Sequence, residues 1–342
     1  MEFKSYADLE TDVVRLLPRL PRDLDLIVAI PRSGLIPATM IALHMNLPLT
    51  DLEGLYEGRL ISSGHRKLKT LAPNFGDTPL NVLIVDDSVG TGAQLREIRA
   101  QLAQRGLPHR FQVAVIYATA VGAPLVDYFV ESVPTLRHFF AWNVMHHGAI
   151  GKWCVDIDGV LCRNCTPEED DDAEHYLRFL QTAEPLFVPT GTVVWLVTGR
   201  LEKHRALTEA WLQRHGIVYE NLLMCPLTSN KERQASGGGG RFKGDIYKEI
   251  DAGLFIESKP YESQDIANIS GKPVLCIQTR SMFRPSPIVR LRRIANKGPG
   301  AYIRYARRRF DNFRQYMRNA RFAKKPPAAQ DIVPDAKHSR DG

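Results

Sequence analysis

The sequence has only five cysteines, irregularly spaced, which excludes a disulfide scaffold. A protein of a reducing compartment, the cytoplasm, is therefore expected. Long hydrophobic runs are also missing. The longest, such as Leu26-Ile27-Val28-Ala29-Ile30, fall well short of the roughly 20 residues needed to cross a bilayer. The opening stretch, Met1-Glu2-Phe3-Lys4-Ser5-Tyr6-Ala7-Asp8, has no apolar segment of a secretory signal. What is present is 342 residues with 44% hydrophobic and 24% charged positions, enough for two globular domains of roughly 100–200 residues each.

The net charge of +7 is unevenly placed. Residues 280–325 hold fifteen Lys or Arg against one acid, Asp311, while the tail after Pro326-Pro327 is near neutral, so residues 1–279 carry about −6. The basicity belongs to one appendage and does not make the whole chain a nucleic-acid binder.

Along residues 1–148, short apolar runs alternate with stretches of helical period, the βαβ pattern of a buried parallel sheet. Strands are expected at Leu24–Ile30, Leu80–Val85, Phe111–Tyr117 and Leu136–Trp142, and helices near Tyr6–Leu17, Leu35–Met45 and Gln94–Arg105. After a short hinge at His146-His147-Gly148, a second series occupies residues 151–283. Its strands are expected at Lys152–Asp156, Thr192–Val197, Gly253–Ile256 and Pro273–Ile277. The run Ser236-Gly237-Gly238-Gly239-Gly240 reads as a flexible loop. Residues 284–325 form a basic amphipathic helical region and 326–342 a disordered tail. The expected fold class is α/β, two doubly wound parallel-sheet (Rossmann-like) domains with a basic helical C-terminal appendage.

In Val82-Leu83-Ile84-Val85-Asp86-Asp87-Ser88-Val89-Gly90-Thr91-Gly92-Ala93, two acids end a buried strand before a small-residue loop and a helix. Backbone N–H groups and the helix dipole favour a phosphate there, and the Ser88 and Thr91 hydroxyls add donors. The carboxylates suit sugar hydroxyls or a hydrated Mg²⁺. This run resembles the signature of the type I phosphoribosyltransferases. The resemblance implies that Asp86 and Asp87 contact the ribose hydroxyls of phosphoribosyl diphosphate (PRPP) and that Ser88, Val89, Gly90, Thr91 and Gly92 wrap its 5′-phosphate. Ala29-Ile30-Pro31-Arg32-Ser33-Gly34 resembles the family's diphosphate-binding loop, with Arg32, Ser33 and Gly34 on the leaving group. The polar, basic stretch Tyr56–Pro73, with Arg59, His65, Arg66, Lys67 and Lys69, resembles the mobile flap that closes over such a site. The acceptor is expected to be nucleobase-like. Purine-salvage members usually have an acid at the position of Gly90, and its absence argues against a plain hypoxanthine or guanine enzyme. His138-Phe139-Phe140-Ala141-Trp142-Asn143 offers an aromatic for stacking or for core packing alike.

In Val155-Asp156-Ile157-Asp158-Gly159, a strand ends in two carboxylates that pleating sends to the same side. This resembles motif one of the haloacid-dehalogenase-like (HAD) hydrolases. The resemblance implies Asp156 as the nucleophile, Asp158 as acid and then base, Thr198 on the transferring phosphoryl group and Lys243, with Lys248 as runner-up, as the motif-three lysine. Asp156, Asp158 and Glu257 would hold Mg²⁺, with Asp265 in support, although the usual acid pair of motif four is not complete here. Only about 30 residues separate Leu161 from the next strand, too few for a large cap with its own core. Cys162-Arg163-Asn164-Cys165 supplies half of a zinc ligand set with no second pair, so ordinary thiols are expected. The acidic run Glu168-Glu169-Asp170-Asp171-Asp172 reads as a solvated helix start.

Ile303, Ala306, Phe310, Phe313 and Met317 would line one face of a helix otherwise rich in arginine. Docking or self-association into a homo-oligomer is the favoured role, with a membrane surface or nucleic acid as alternatives. Together the motifs imply a bifunctional enzyme: Mg²⁺-dependent phosphoribosyl transfer from PRPP, and hydrolysis of a phosphomonoester through an aspartyl-phosphate. The alternative is a HAD phosphatase regulated by a PRPP-sensing, non-catalytic first domain.

Overall fold

The apolar runs of the two series build two separate sheets. The computed structural model describes residues 1–61, 78–135, 138–170 and 173–288, and Met1–Pro285 form one compact unit. Residues 62–77, which take in most of the expected flap Tyr56–Pro73, residues 136–137, Asp171–Asp172, and the basic region and tail from residue 289 lie outside the described residues.

The chain opens with β1 (Glu2–Lys4) and α1 (Tyr6–Leu16). Ser5 caps α1 by accepting the Asp8 N–H at 3.1 Å, and the Asp8 carboxylate accepts the Ser5 N–H at 2.8 Å, a reciprocal capping box. Next come β2 (Leu26–Ala29), α2 (Leu35–Met45), β3 (Leu49–Asp51), α3 (Leu52–Glu57), β4 (Asn81–Val89), α4 (Ala93–Arg105), β5 (Arg110–Ala118), β6 (Tyr128–Ser132) and β7 (His138–Phe140). Strands β2 to β6 form a parallel sheet of order β3-β2-β4-β5-β6. Every residue of β2 is buried, as a strand covered on both faces requires. Each such Leu, Ile or Val contributes about 1.5–3 kcal/mol of burial.

The second sheet uses β8 (Trp153–Val155), β9 (Val193–Leu201), β10 (Tyr219–Cys225), β11 (Leu254–Glu257), β12 (Val274–Cys276) and β13 (Ser281–Phe283), with order β10-β9-β8-β11-β12-β13. Only β13 is antiparallel. Helices α5 (Glu174–Thr182), α6 (Arg205–Arg214), α7 (Asn230–Ala235), α8 (Gly238–Glu249) and α9 (Pro260–Ser270) make the crossovers. In an open α/β sheet, ligands bind outside the carboxyl ends of the strands where the order reverses. That point lies between β2 and β4 in the first sheet and between β8 and β11 in the second.

Two expectations are corrected. Leu136–Trp142 does not extend the first sheet: its strand, His138–Phe140, pairs only with β1. Side-chain alternation in this ladder sends Phe139 into the second core, against Trp153 at 5.1 Å, and Phe140 into the first, against Tyr117 at 5.3 Å. Val144 and Met145, just before the expected hinge, are buried in the second core as well. The glycine run is not an open loop either, since Gly238, Gly239 and Gly240 form the first turn of α8. A Cβ on Gly239 would lie 3.0 Å from Glu262 Oε2, and one on Gly244 2.9 Å from Ile269 Cβ. Glycine is used there so that α8 can pack closely on α9, which outweighs its low helix propensity.

Candidate active sites

At the first switch point, residues 30–34 leave β2 and residues 90–92 leave β4. The first loop packs directly on β4: a Cβ on Gly34 would lie 2.4 Å from Ile30 O and 2.8 Å from Val85 O, so only glycine fits. The Pro31–Arg32 peptide is cis. Arg32 is exposed and Ser33 half-buried beside the strand end. Asp86 Oδ1 accepts the Asp87 N–H at 2.8 Å. Burial, and next the charge of Asp87, push the Asp86 carboxyl up to about 8. Asp87 is 5% exposed, and its two oxygens accept the Trp142 indole N–H at 2.7 Å and the Ser88 hydroxyl at 3.3 Å. Trp142 stacks on Phe140 at 4.7 Å, so the expected aromatic is tied to the acid pair.

Gly92, at φ +75°, turns the chain into α4, whose N-terminus carries no side-chain cap. Its first N–H groups are thus directed at a cavity of about 320 Å³, bordered by Asp86, Ser88, Gly90, Thr91 and Gln94. Sequence reasoning missed Thr119, which fixes this loop from the end of β5 by donating its hydroxyl to Gly90 O at 2.7 Å. No local motif marks it, because the contact joins residues 29 positions apart. A Cβ on Gly90 would meet nothing within 4 Å.

At the second switch point, Asp156 follows β8 and Glu257 ends β11. Lys243, buried on α8, lies between them, 2.9 Å from Asp156 Oδ2 and 2.6 Å from Glu257 Oε2. It also contacts Glu262 Oε2 at 2.5 Å. Lys248, the runner-up, is half exposed and pairs with Glu249. Burial alone would lower the Lys243 ammonium, but Asp156, Glu257 and Glu262 outweigh it and hold it well above its usual range. Asp156 is pushed up to about 8, chiefly by burial and against the pull of Lys243.

Glu262 was missed in the sequence. It stands in the first turn of α9, five positions beyond Glu257, and adds a third carboxylate to Lys243; Asp265 borders the cavity without reaching Lys243. Thr198 is fully buried and accepts the Arg200 N–H at 3.2 Å, while Gly199 lines the cavity. Asp158 is not joined to the Lys243 cluster. Both its oxygens are held by Arg200, with Nη2 at 2.7 Å and Nε at 3.1 and 3.2 Å. Burial would raise the Asp158 carboxyl, yet Arg200 holds it below its usual value.

The cavity here is about 250 Å³. Four carboxylates, Asp156, Asp158, Glu257 and Glu262, face two cations, Lys243 and Arg200, and the hard-oxygen excess suits one divalent ion. Among the described residues no three His, Cys, Asp or Glu side chains form a ready-made metal cage. Of the residues expected to hold Mg²⁺, Asp156 and Asp158 border the cavity, whereas Glu257 is fully buried, its Oε2 on Lys243 and its Oε1 accepting the Ser258 and Lys259 N–H groups.

The fold and the paired loops of the first site define an α/β domain with an anion-binding loop at its topological switch point. The chain matches no family model. It is 35% identical over 109 residues to a xanthine-guanine phosphoribosyltransferase of Nitratidesulfovibrio vulgaris (strain DP4), covering 31% of this chain and 61% of the relative. It is 33% identical over 130 residues to the xanthine-guanine phosphoribosyltransferase of Chromohalobacter salexigens, covering 38% of this chain and 75% of that relative. A purine phosphoribosyltransferase structure from Pyrococcus horikoshii Ot3 aligns at 23% identity and a TM-score of 0.31, over 42% of this chain and 94% of that one. Through this N-terminal third the chain belongs to the phosphoribosyltransferase family, as the resemblance of its loops implied. It spans about three-fifths of the first relatives it matches. Among the described residues no helix is long and apolar enough to cross a membrane.

Proposed function

We propose that the first site transfers the phosphoribosyl group of PRPP, with Mg²⁺, to a purine. The observation that carries this is the Asp86–Asp87 pair at the carboxyl end of β4, next to the uncapped N-terminus of α4 and facing the Arg32 loop. The acids suit the ribose hydroxyls, the loop and helix end suit the 5′-phosphate, and Arg32 suits the diphosphate leaving group. Relatives named for xanthine and guanine support a purine acceptor, against the expectation drawn from Gly90. Bound Mg²⁺ would neutralise charge on the diphosphate as it leaves.

The second site, on this reading, hydrolyses a phosphomonoester, and the reading rests on its own geometry. Asp156 attacks phosphorus and the P–O ester bond breaks, its electron pair leaving with the ester oxygen, which takes a proton from solvent because Arg200 holds Asp158 ionised. Water then attacks the aspartyl-phosphate, gives a proton to the Asp158 carboxylate acting as base, and releases phosphate with Asp156 restored. Lys243 holds Asp156 in place and balances its charge. Mg²⁺ held by Asp156 and Asp158 would supply Lewis-acid stabilisation of the phosphoryl oxygens. Transfer to a base creates a 5′-phosphomonoester, so the product of the first site is a chemically sensible substrate for the second.

The space beside Gly90 favours one alternative. A side chain would fit there, so glycine is not sterically required, and the missing acid suits a first domain that binds PRPP without transferring it. Diphosphate and phosphate release with Mg²⁺, PRPP and a panel of nucleobases separates the readings. Purine-dependent diphosphate release lost in Asp87→Asn, and phosphate release lost in Asp156→Asn, are expected. Tight PRPP binding with no diphosphate release for any base favours the sensor.

A further inference from the structure

Three cationic side chains border the second cavity: Arg233, Lys243 and Lys259. Two of them are matched by acids, since Lys243 gathers Asp156, Glu257 and Glu262, and Lys259 stands 3.5 Å from Glu262 Oε1. Arg233 differs. Its Nη1 donates to Gly199 O at 2.6 Å and its Nη2 to Asn230 Oδ1 at 2.6 Å, both neutral acceptors, and among the described residues it forms no ion pair. Asn230 donates in turn to Asp170 Oδ1 at 3.0 Å, so a neutral amide links the guanidinium to that acid. The charge of Arg233 stays uncompensated beside the cavity.

Its anchorage also ties it to the reacting end of that cavity. Gly199 follows Thr198, the residue expected on the transferring phosphoryl group, and a Cβ on Gly199 would lie 3.4 Å from Arg233 Nη1 and 3.7 Å from Gly239 Cα. Gly239 belongs to the first turn of α8, where a Cβ would lie 3.4 Å from Lys243 Cε. Gly199 thus joins Arg233 to the lysine cluster. Arg233 Nε is enclosed and donates to no group, which offsets part of what the two hydrogen bonds contribute. Stability alone is a weak reason for an arginine here. A guanidinium on neutral acceptors, with a second N–H on each Nη, matches the oxygens of a phosphoryl group. We propose that Arg233 is a substrate-binding residue of the second site, donating to the oxygens of the phosphoryl group that Asp156 attacks. This inference rests on the phosphohydrolase reading of that site and adds a binding group that its sequence motifs did not supply.

An interaction made equally with bound substrate and transition state moves KM and spares kcat. The test uses the full chain with Mg²⁺ and three esters, guanosine 5′-monophosphate, ribose 5-phosphate and p-nitrophenyl phosphate, with inorganic phosphate as competing product. Arg233→Gln is expected to raise KM for every ester hydrolysed about 10- to 100-fold, the range that a hydrogen bond to a charged group spans, with a much smaller change in kcat. The inhibition constant of inorganic phosphate should rise by the same factor. Arg233→Lys, which keeps the charge without the fork, should fall between Arg233→Gln and the parent. An unfolding midpoint at the parent value shows that each variant is folded.

A loss confined to kcat, with KM and the phosphate constant at their parent values, overturns the inference and assigns Arg233 to holding Gly199. A raised KM with an unmoved phosphate constant also overturns it, because the contact is then to another part of the substrate. If Arg233→Gln fails to fold, Arg233→Lys decides by the same two constants. No hydrolysis of any of the three esters by the parent overturns the phosphohydrolase reading and this inference with it, whereas hydrolysis with every constant unmoved in the variants overturns this inference alone.

Discussion

Trp142 donates its indole N–H to Asp87 Oδ2 at 2.7 Å, so a residue from beyond the first sheet fixes an acid at its switch point. Trp142→Phe keeps the stacking on Phe140 but leaves a buried carboxylate oxygen without that donor. A loss of about 1–3 kcal/mol is typical of such a deletion. We expect PRPP affinity to fall by roughly tenfold, each factor of ten being about 1.4 kcal/mol. Titration calorimetry with Mg²⁺ and PRPP checks this, and unchanged affinity would remove Trp142 from the site.

Asp86 gives the ligand-free protein a pH signature. Its carboxyl is raised to about 8, so between about 4 and 8 the folded state holds a proton that the unfolded chain has lost. Its contribution is complete at low pH and is lost as pH rises through 8. Asp86→Asn mimics the protonated form. Its unfolding midpoint should match the parent near pH 5 and exceed it near pH 9, by roughly 2–4 °C for a change of 1 kcal/mol. A constant difference across this range counts against the shift.

Lys243→Met removes the ammonium from three buried carboxylates. Removing one partner of a buried pair typically costs about 3–5 kcal/mol. Denaturant unfolding at pH 7 should show a loss of this order. The loss should shrink as pH falls, because protonation relieves Asp156, Glu257 and Glu262 of their repulsion. A pH-independent loss would assign the cost to packing instead.

Gly34→Ala drives a Cβ into the carbonyls of Ile30 and Val85, neither of which is a flexible side-chain end. The Arg32 loop must then move away from β4 and its acids. PRPP binding should be abolished while phosphate release at the second site continues. Loss of both activities together would point to global misfolding.

Local chemistry carried much of this architecture. Leu35–Met45 is helical over the span its sequence pattern indicates, and the expected acids follow β8 and end β11, whereas β4 runs on past Asp86 and Asp87 to Val89 because Ser88 and Val89 still pair with β5. Short strands such as Leu49–Asp51, and Tyr128–Ser132 with its half-buried side chains, show no long apolar run and exist because neighbours pair with them. Residues 236–240 misled for a related reason: glycine signals a loop locally, and only the packing of α8 against α9 makes it helical. Arg200, Glu262 and Thr119 escaped notice because their roles arise from partners distant in sequence or across the sheet.

The β1–β7 ladder also governs how the protein can be dissected. Phe139, Val144 and Met145 belong to the second core, and Met1 and Phe3 pack against it from the far end of the chain. A cut at Gly148 would therefore strip apolar cover from the second half while removing Phe140 and Trp142 from nothing but their own side. The segment around residue 146 is a seam that both halves share, so a fragment starting at residue 149 would carry an exposed greasy scar and tend to aggregate. Silencing one site by point substitution keeps the seam closed.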